Sequence, residues 1–197
     1  MTRARDLADS ADKDIVGTIT VDGLTVAGNV SVDSGTIKLD GNYPVGSDNV
    51  ALGDTALDSN VSGVRITAIG SQALTANIAS DNTAIGARAM ASTTSGANNV
   101  AVGRDSLFTN STGAENVSVG LNTMYYNTTG SYNTALGRSA LQSNTTASYN
   151  TAVGYQAGYS NTTGAYNTSV GAFSLVSNTT GSNNTALGTW NGASATA

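Results

Sequence analysis

The side chains that could carry acid–base or metal chemistry are few, and they do not recur together. The 197-residue chain has no His and no Cys, which removes the commonest general base, the thiolate nucleophile and the best soft-metal ligands. The carboxylates of residues 49–188 share no repeating spacing: Asp54, Asp58, Asp81, Asp105 and Glu115. Calcium-binding β-rolls would need a phased Asp in a Gly-Gly-x-Gly-x-Asp pattern. We therefore predict no catalytic, cofactor-binding or metal-binding residues, and a protein that is not an enzyme.

Aromatic side chains are the more specific candidates for binding. Tyr132, Tyr149 and Tyr166 recur every 17 residues and should form a column. Other aromatics share the C-terminal half: Tyr125, Tyr126, Tyr155, Tyr159, Phe173 and Trp190. Of these, Tyr155, Tyr159 and Trp190 join the three column residues as binding candidates. Aromatic rings offer apolar faces on which sugars pack, and the abundant Asn, Thr and Ser could hydrogen-bond sugar hydroxyls. Two interpretations stay open for these six residues: a stacked structural ladder, or a face that binds host cell-surface glycans.

Charge is sparse and unevenly distributed. The net charge is −5, of which residues 1–48 carry −4 with 8 Asp and 4 Lys or Arg, and no charged residue follows Arg138. Nucleic-acid and polybasic membrane sites need clustered Lys and Arg, and a membrane helix needs about 18–20 apolar residues in a row. The N-terminal residues also lack the apolar core of a signal peptide. We expect no nucleic-acid partner, no membrane insertion and synthesis in a host cytoplasm.

A phased glycine marks the elements that must position these side chains. Gly recurs at 17-residue intervals, with a single interval of 16: positions 53, 70, 86, 103, 120, 137, 154, 171 and 188. A short period repeated this often is typical of a solenoid, and 17 residues are too few for helical repeats. We predict an all-β fold, a parallel β-solenoid or β-roll of about nine 17-residue turns over residues 49–188. Each turn should hold two short strands and two corners, with Asn side chains stacked into amide ladders.

The apolar residues of each turn predict its inside and outside. One aliphatic residue precedes each glycine and is expected to form the interior column: Leu52, Ile69, Ile85, Val102, Val119, Leu136, Val153, Val170 and Leu187. Because neighbouring strand residues face opposite sides, the Ala or Ser before each aliphatic residue would face outward. A long, small and uncharged outer wall suits close packing against another chain, so we expect an oligomer.

The flanking regions differ from the repeats. Residues 1–14 are charged and read as an N-terminal arm, while residues 15–48 alternate apolar pairs with Asp-Gly and Ser-Gly turns and read as a neck of short strands. The neck is too short to bury a core alone and should fold against other chains. Residues 189–197 are expected to cap the end of the solenoid.

The repeat units resemble a known family of adhesins. Residues 82–86 (Asn-Thr-Ala-Ile-Gly), 133–141 and 150–157 are similar to the Ala-Ile/Val-Gly-x-x-Ala repeats of trimeric autotransporter adhesin heads. This resemblance implies a left-handed parallel β-roll with three chains to a head.

The likeness to phage tail fibres extends over nearly the whole chain. Residues 5–9, 21–26 and 40–46, together with the repeats, are similar to tail-fibre proteins of tailed phages, particularly those of marine cyanobacteria. The resemblance implies a homotrimeric virion fibre whose N-terminus, with Arg3, Arg5, Asp6 and Leu7, docks onto tail or capsid proteins. The distal end would then meet the host surface. Two alternatives are a fragment of a bacterial trimeric surface adhesin and an ice-binding solenoid that uses the Thr columns of its Asn-Thr-Thr-Gly turns.

Overall fold

The computed structural model describes residues 48–60 and 62–190, and every regular element within these ranges is a β-strand. These two ranges contain nine strands of three residues each: β1 (Val50–Leu52), β2 (Thr67–Ile69), β3 (Thr83–Ile85), β4 (Val100–Val102), β5 (Val117–Val119), β6 (Thr134–Leu136), β7 (Thr151–Val153), β8 (Thr168–Val170) and β9 (Thr185–Leu187). In the part of the chain that the structure describes, no helix has the length and apolarity needed to cross a membrane.

The nine strands form one parallel sheet in chain order. Each residue pairs with the equivalent residue of the next turn, as Thr134 does with Thr151 and Leu136 with Val153. Because each turn hydrogen-bonds only to its two neighbours, the architecture is the predicted parallel β-solenoid.

The phased glycines end the strands, as predicted. Their φ angles lie between 109° and 138°, in the region that favours glycine. The packing of the turns imposes the same requirement, because a Cβ added to Gly137 would stand 2.6 Å from the carbonyl oxygen of Gly154. The glycine period therefore follows from both the bend and the close approach of successive turns.

The prediction of two strands per turn was wrong. Each turn has one strand, and the rest of its path bends through left-handed residues instead of a second extended segment. In the turn after Gly137 these residues are Ser139, with φ 59°, and Leu141, with φ 47°. Backbone bonds to the neighbouring turns continue through this bent path, as from the Leu141 amide to the Ala157 carbonyl.

The prediction of the interior column was also wrong. The middle strand residue points inward, so Ala135 and Ala152 are fully buried, whereas Leu136 keeps 37% of its surface exposed. The bulky interior column comes instead from the fourth position after each glycine and consists of Leu57, Leu74, Met90, Leu107, Met124, Leu141 and Leu175, with Gly158 between the last two. Strand alternation does not extend into the left-handed bend, and so Ala140 and Leu141 are both buried.

Two ladders of buried Asn side chains run through the solenoid, as expected from the repeat. In the first ladder the side-chain oxygen of Asn116 accepts the backbone N–H of Asn133, 3.0 Å away. In the second the Asn144 amide donates to Asn127 Oδ1 at 2.8 Å. The ladders also share acceptors, since the Gly130 carbonyl receives the side-chain amides of Asn116 and Asn127 at 2.9 Å each. Buried amides and carbonyls thus satisfy one another turn after turn.

The single 16-residue interval is located in one bend. Asn60 donates to the carbonyl of Gly63, three residues on, whereas Asn77 donates to Ala79, two residues on. The missing residue therefore lies between Asn77 and Ala79, outside the strands. The sheet consequently keeps its register, and Thr67 still pairs with Thr83.

Several predictions lie outside the described residues. These are the N-terminal arm with Arg3, Arg5, Asp6 and Leu7, the neck over residues 15–47, and the end of the cap over residues 191–197.

Candidate functional site

A cleft of about 260 Å³ opens on the bends that follow the phased glycines in the middle of the solenoid. Polar and aromatic side chains from four successive turns line it: Arg88, Arg104, Asp105, Asn122, Tyr125, Tyr126 and Gln142. None of these residues belongs to a strand, because all of them lie within six residues after a phased glycine. The rigid stack of turns therefore holds a group of side chains that are far apart in the sequence.

A buried carboxylate organises the charges of the cleft. The side chain of Asp105 is only 3% exposed, and its Oδ1 lies 2.7 Å from Arg88 Nε. Arg88 Nη2 donates to Asp105 Oδ2 at 2.8 Å, so one hydrogen bond and one close charge contact join the pair. This hydrogen bond is the main cause that raises the pKa of Arg88, and the charge of Asp105 adds to it. Arg88 is thereby held in place, with 46% of its side chain exposed.

A second guanidinium, that of Arg104, is left with most of its charge toward solvent. Its Nε lies 3.3 Å from Asp105 Oδ2, yet its side chain is 63% exposed. Two Arg side chains thus share one carboxylate, and the cleft carries a net charge of about +1. Arg presents a planar fork of donors that matches a carboxylate or phosphate. The surplus charge favours an anionic ligand.

Aromatic rings form one wall of the cleft. The rings of Phe108 and Tyr125 stack with their centroids 5.0 Å apart, and the Arg88 guanidinium lies 5.4 Å from the Phe108 centroid. Tyr126 meets Tyr125 edge to face at 4.7 Å and keeps 50% of its surface exposed. The stacked pair fixes Arg88 from behind, while Tyr126 offers an apolar surface to a ligand.

The predicted tyrosine column is present, and it lies apart from the cleft. Tyr132, Tyr149 and Tyr166 lie in the bend before the strands, with successive ring centroids 5.0 Å apart and ring planes within 1° of parallel. Each ring has a neighbour on one or both faces, so stacking on a sugar is open only at the ends of the column. Binding of glycans by these three residues stays a prediction.

Charged residues precede the tyrosines in the same column. Arg65 makes a bidentate pair with Asp81, with Nε 2.6 Å from Oδ1 and Nη2 2.7 Å from Oδ2. This hydrogen bonding is the main cause that lowers the pKa of Asp81. Glu115 occupies the same column one turn before Tyr132, and its negative charge is the main cause that raises the pKa of Tyr132.

The remaining predicted residues do not join the tyrosine column. Tyr155 and Trp190 follow the glycines and bracket Phe173, which meets Tyr155 edge to face at 5.1 Å and stacks on Trp190 at 4.3 Å. Tyr159 is half-buried and lies four residues beyond Tyr155 along the same bend. The six candidates are therefore spread over two sides of the strand and do not form one site.

Most residues of the cleft were missed because no single repeat position contains them, and Tyr125 and Tyr126 were noted only among the aromatics of the C-terminal half. Arg88 and Asp105 both stand second after a phased glycine, 17 residues apart, so the repeat alone could have indicated their ion pair. Tyr126 and Gln142 come from other positions in their turns, and only the path of the bend brings them to the same opening.

The chain matches no known protein-family model, no curated protein and no solved structure.

Proposed function

We propose that this chain is a non-enzymatic structural fibre protein of a virus particle, a phage tail fibre that assembles as a homotrimer and takes part in host-surface attachment. Residues 1–14 dock onto other virion proteins, residues 15–48 form the neck that joins the three chains, and the solenoid projects outward.

The observation that supports this proposal is the outer face of the sheet. Each strand presents its first and third residues outward, and in all nine strands these are Thr, Val, Ile or Leu. The aliphatic side chains are half-buried or exposed, among them Leu52 at 43%, Ile85 at 39% and Leu136 at 37%. A continuous apolar face of this kind marks an interaction surface.

Other copies of the same chain are the occupants that fit this face best. The face is uncharged and repeats itself from turn to turn, so identical faces can pack together without unpaired charge. Three copies around one axis would bury the aliphatic columns and keep the charged and polar bends outside.

The experiment combines molar mass with location. Light scattering on the purified full chain should give three times 19.7 kDa, and an antibody against the chain should label the tails of virus particles in electron micrographs. A stable monomer would contradict the trimer. Labelling of a bacterial surface in place of particles would identify the chain as part of an adhesin.

Ice binding is a second candidate because of the same sheet. Thr recurs at the first strand position, as at Thr134, Thr151 and Thr168, beside a regular aliphatic column. The Thr residues of the Asn-Thr-Thr-Gly bends fit less well, since Thr145 Oγ1 already donates to the Thr162 carbonyl at 3.0 Å. Thermal hysteresis in cold solution from a monomeric chain would favour this function over the fibre.

A further inference from the structure

We propose that the cleft between Arg88 and Gln142 binds a saccharide that carries a carboxylate, and that Arg104 and Tyr126 are its principal contacts. This inference deepens the proposed function, on which its role as a receptor site rests. The binding itself can be measured on the isolated chain.

The charge arrangement selects a carboxylated ligand. Asp105 holds Arg88 through one hydrogen bond and one charge contact, whereas Arg104 has a single, longer contact with Asp105. The Arg104 side chain is also the more exposed of the two, 63% against 46%, so its donors are more available to an incoming group. A guanidinium fork and a carboxylate match in geometry and make charge-assisted hydrogen bonds. Asp105 also repels an anion that enters too deeply, which places the ligand carboxylate on the Arg104 side.

The uncharged groups of the cleft select a sugar over a simple anion. Asn122 and Gln142 bring amide donors and acceptors, which suit hydroxyl groups, and both are half-buried. Tyr126, half exposed and braced edge to face by Tyr125, supplies the apolar surface that the C–H face of a pyranose requires. A volume of about 260 Å³, open to solvent, suits one or two sugar units of a longer chain.

The cleft and the tyrosine column differ in how many faces of their rings are covered by other rings. In the column, Tyr149 has a parallel ring at 5.0 Å on both faces. Tyr126 has one edge-to-face neighbour, Tyr125. The two tyrosines have nearly equal exposure, 50% for Tyr126 and 49% for Tyr149, so they form a matched pair for mutation.

The test is binding of the full-length chain to immobilised oligosaccharides that contain a hexuronic or sialic acid, each paired with its own carboxyl methyl ester. We expect binding to one or more of the acids and at least about tenfold weaker binding to the paired ester, because the ester removes the charge that Arg104 contacts. Binding should also weaken as salt is raised. Binding to no carboxylated glycan, or equal binding to acid and ester, overturns the proposal.

Matched variants locate the site. Arg104→Gln and Tyr126→Ala should each weaken binding about tenfold or more. Arg138→Gln removes the same charge from the same position after a phased glycine and should bind as the unmodified chain does, as should Tyr149→Ala. Equal losses in the two Arg variants would indicate attraction by net charge alone and overturn the assignment, and so would an unchanged affinity in Tyr126→Ala.

Two further measurements keep the outcomes separate. Thermal unfolding of each variant checks that the fold is retained, which the exposure of Arg104 and Tyr126 leads us to expect. Particle labelling tests the virion role independently, so glycan binding without labelling would refute the fibre and leave the cleft site standing. Labelling without glycan binding would refute the cleft site and leave the fibre proposal standing.

Discussion

At the scale of single residues, backbone conformation decides which side chain a position accepts. Leu and Met occupy the left-handed fourth position after the phased glycines, with φ between 46° and 57° for Leu57, Leu74, Met90, Leu107, Met124, Leu141 and Leu175. Such a conformation costs about 1–2 kcal/mol for a residue with a Cβ. Burial of a Leu or Met side chain contributes about 1.5–3 kcal/mol, so it offsets the strain. Propensity alone would therefore have placed these side chains elsewhere.

Two glycines in one turn should respond differently to the same substitution. Gly154 has φ 137°, and an added Cβ would lie 2.7 Å from backbone atoms of Gly171. Gly158 has φ 61°, and its nearest obstacle is Leu141 Cδ2 at 2.9 Å, the end of a flexible side chain. We expect Gly154→Ala to lower the free energy of unfolding by about 3 kcal/mol or more and Gly158→Ala by about 1 kcal/mol or less.

Thermal unfolding at one protein concentration measures the difference between the two glycine variants. A similar loss of stability in both would contradict the role assigned to backbone contact at Gly154.

The amide ladders predict a pH-dependent variant. Asn133 Nδ2 donates to the Ala147 carbonyl at 2.9 Å and to Asn116 Oδ1 at 3.2 Å, and the residue is fully buried. In Asn133→Asp a carboxylate oxygen would face these two acceptors. We expect a loss of about 3 kcal/mol or more at neutral pH from an unpaired buried charge.

Acid should partly restore this variant, because a protonated carboxyl can donate one hydrogen bond. The pKa of the new carboxyl would be raised in the folded state, so its penalty is smallest below the unfolded-state pKa of about 3.9 and grows as the pH rises through the folded-state value. Unfolding measured from pH 3 to 7 tests this sign. Asn183→Asp makes the same change at an exposed position and should have little effect at any pH.

At the scale of elements, the strands hold successive turns together, while the bends carry the cleft that we propose as the binding site. The strands supply the sheet and its apolar outer columns, while the bends supply the interior Leu and Met column and the cleft. The outer surface still suits packing against other chains, but for a different reason than the one predicted from the sequence. Aliphatic side chains stand outside where Ala and Ser were predicted, so the apolar area available for association is larger.

A charge on the outer face of the sheet should separate the chains and leave the solenoid folded. Leu136 is 37% exposed on β6, so Leu136→Lys disturbs little inside one chain but would place like charges together in an assembly. We expect the light-scattering mass to fall from a trimer toward a monomer with the circular dichroism spectrum retained. Thr146→Lys, at an exposed position in the Asn144–Ala147 bend of the same turn, is the control and should stay trimeric. Dissociation of both variants would indicate that net charge, and not this face, controls association.

At the scale of the whole molecule, the distribution of charge separates regions with different roles. Five of the nine charged residues in positions 49–188 lie in two ion-pair groups, Arg65 with Asp81 and Asp105 with Arg88 and Arg104. The turns after Arg138 carry no charge and hold Tyr149 and Tyr166, whereas the cleft lies where the charges are. Recognition of a charged ligand is therefore expected along the side of the solenoid, not in the uncharged turns after Arg138.

Much of the fold could be predicted from the repeat, since a period constrains every turn at once. The strand before each glycine, the glycine corners, the Asn ladders and the column of Tyr132, Tyr149 and Tyr166 each follow from one residue type recurring at one interval. The interior was predicted incorrectly because alternation was applied to Val153 and Ala152 without the bend that turns Leu141 inward. The cleft was not predicted, since the sequence does not show which side chains from different turns meet, and binding of glycans by the predicted aromatics stays a prediction.

The sequence by itself determined the stacking of this protein: a 17-residue period, a glycine that permits each corner, and polar ladders that repeat along the axis. These are nearest-neighbour properties, and a repeat states them directly. The tertiary structure alone decided which side of each turn is inside and which side chains from different turns meet. The reason is that φ angles near 50–60° at Ser139, Leu141 and their equivalents redirect the chain within each turn. No residue pattern in the sequence predicts these angles. The cleft around Asp105 is a consequence of that redirected path.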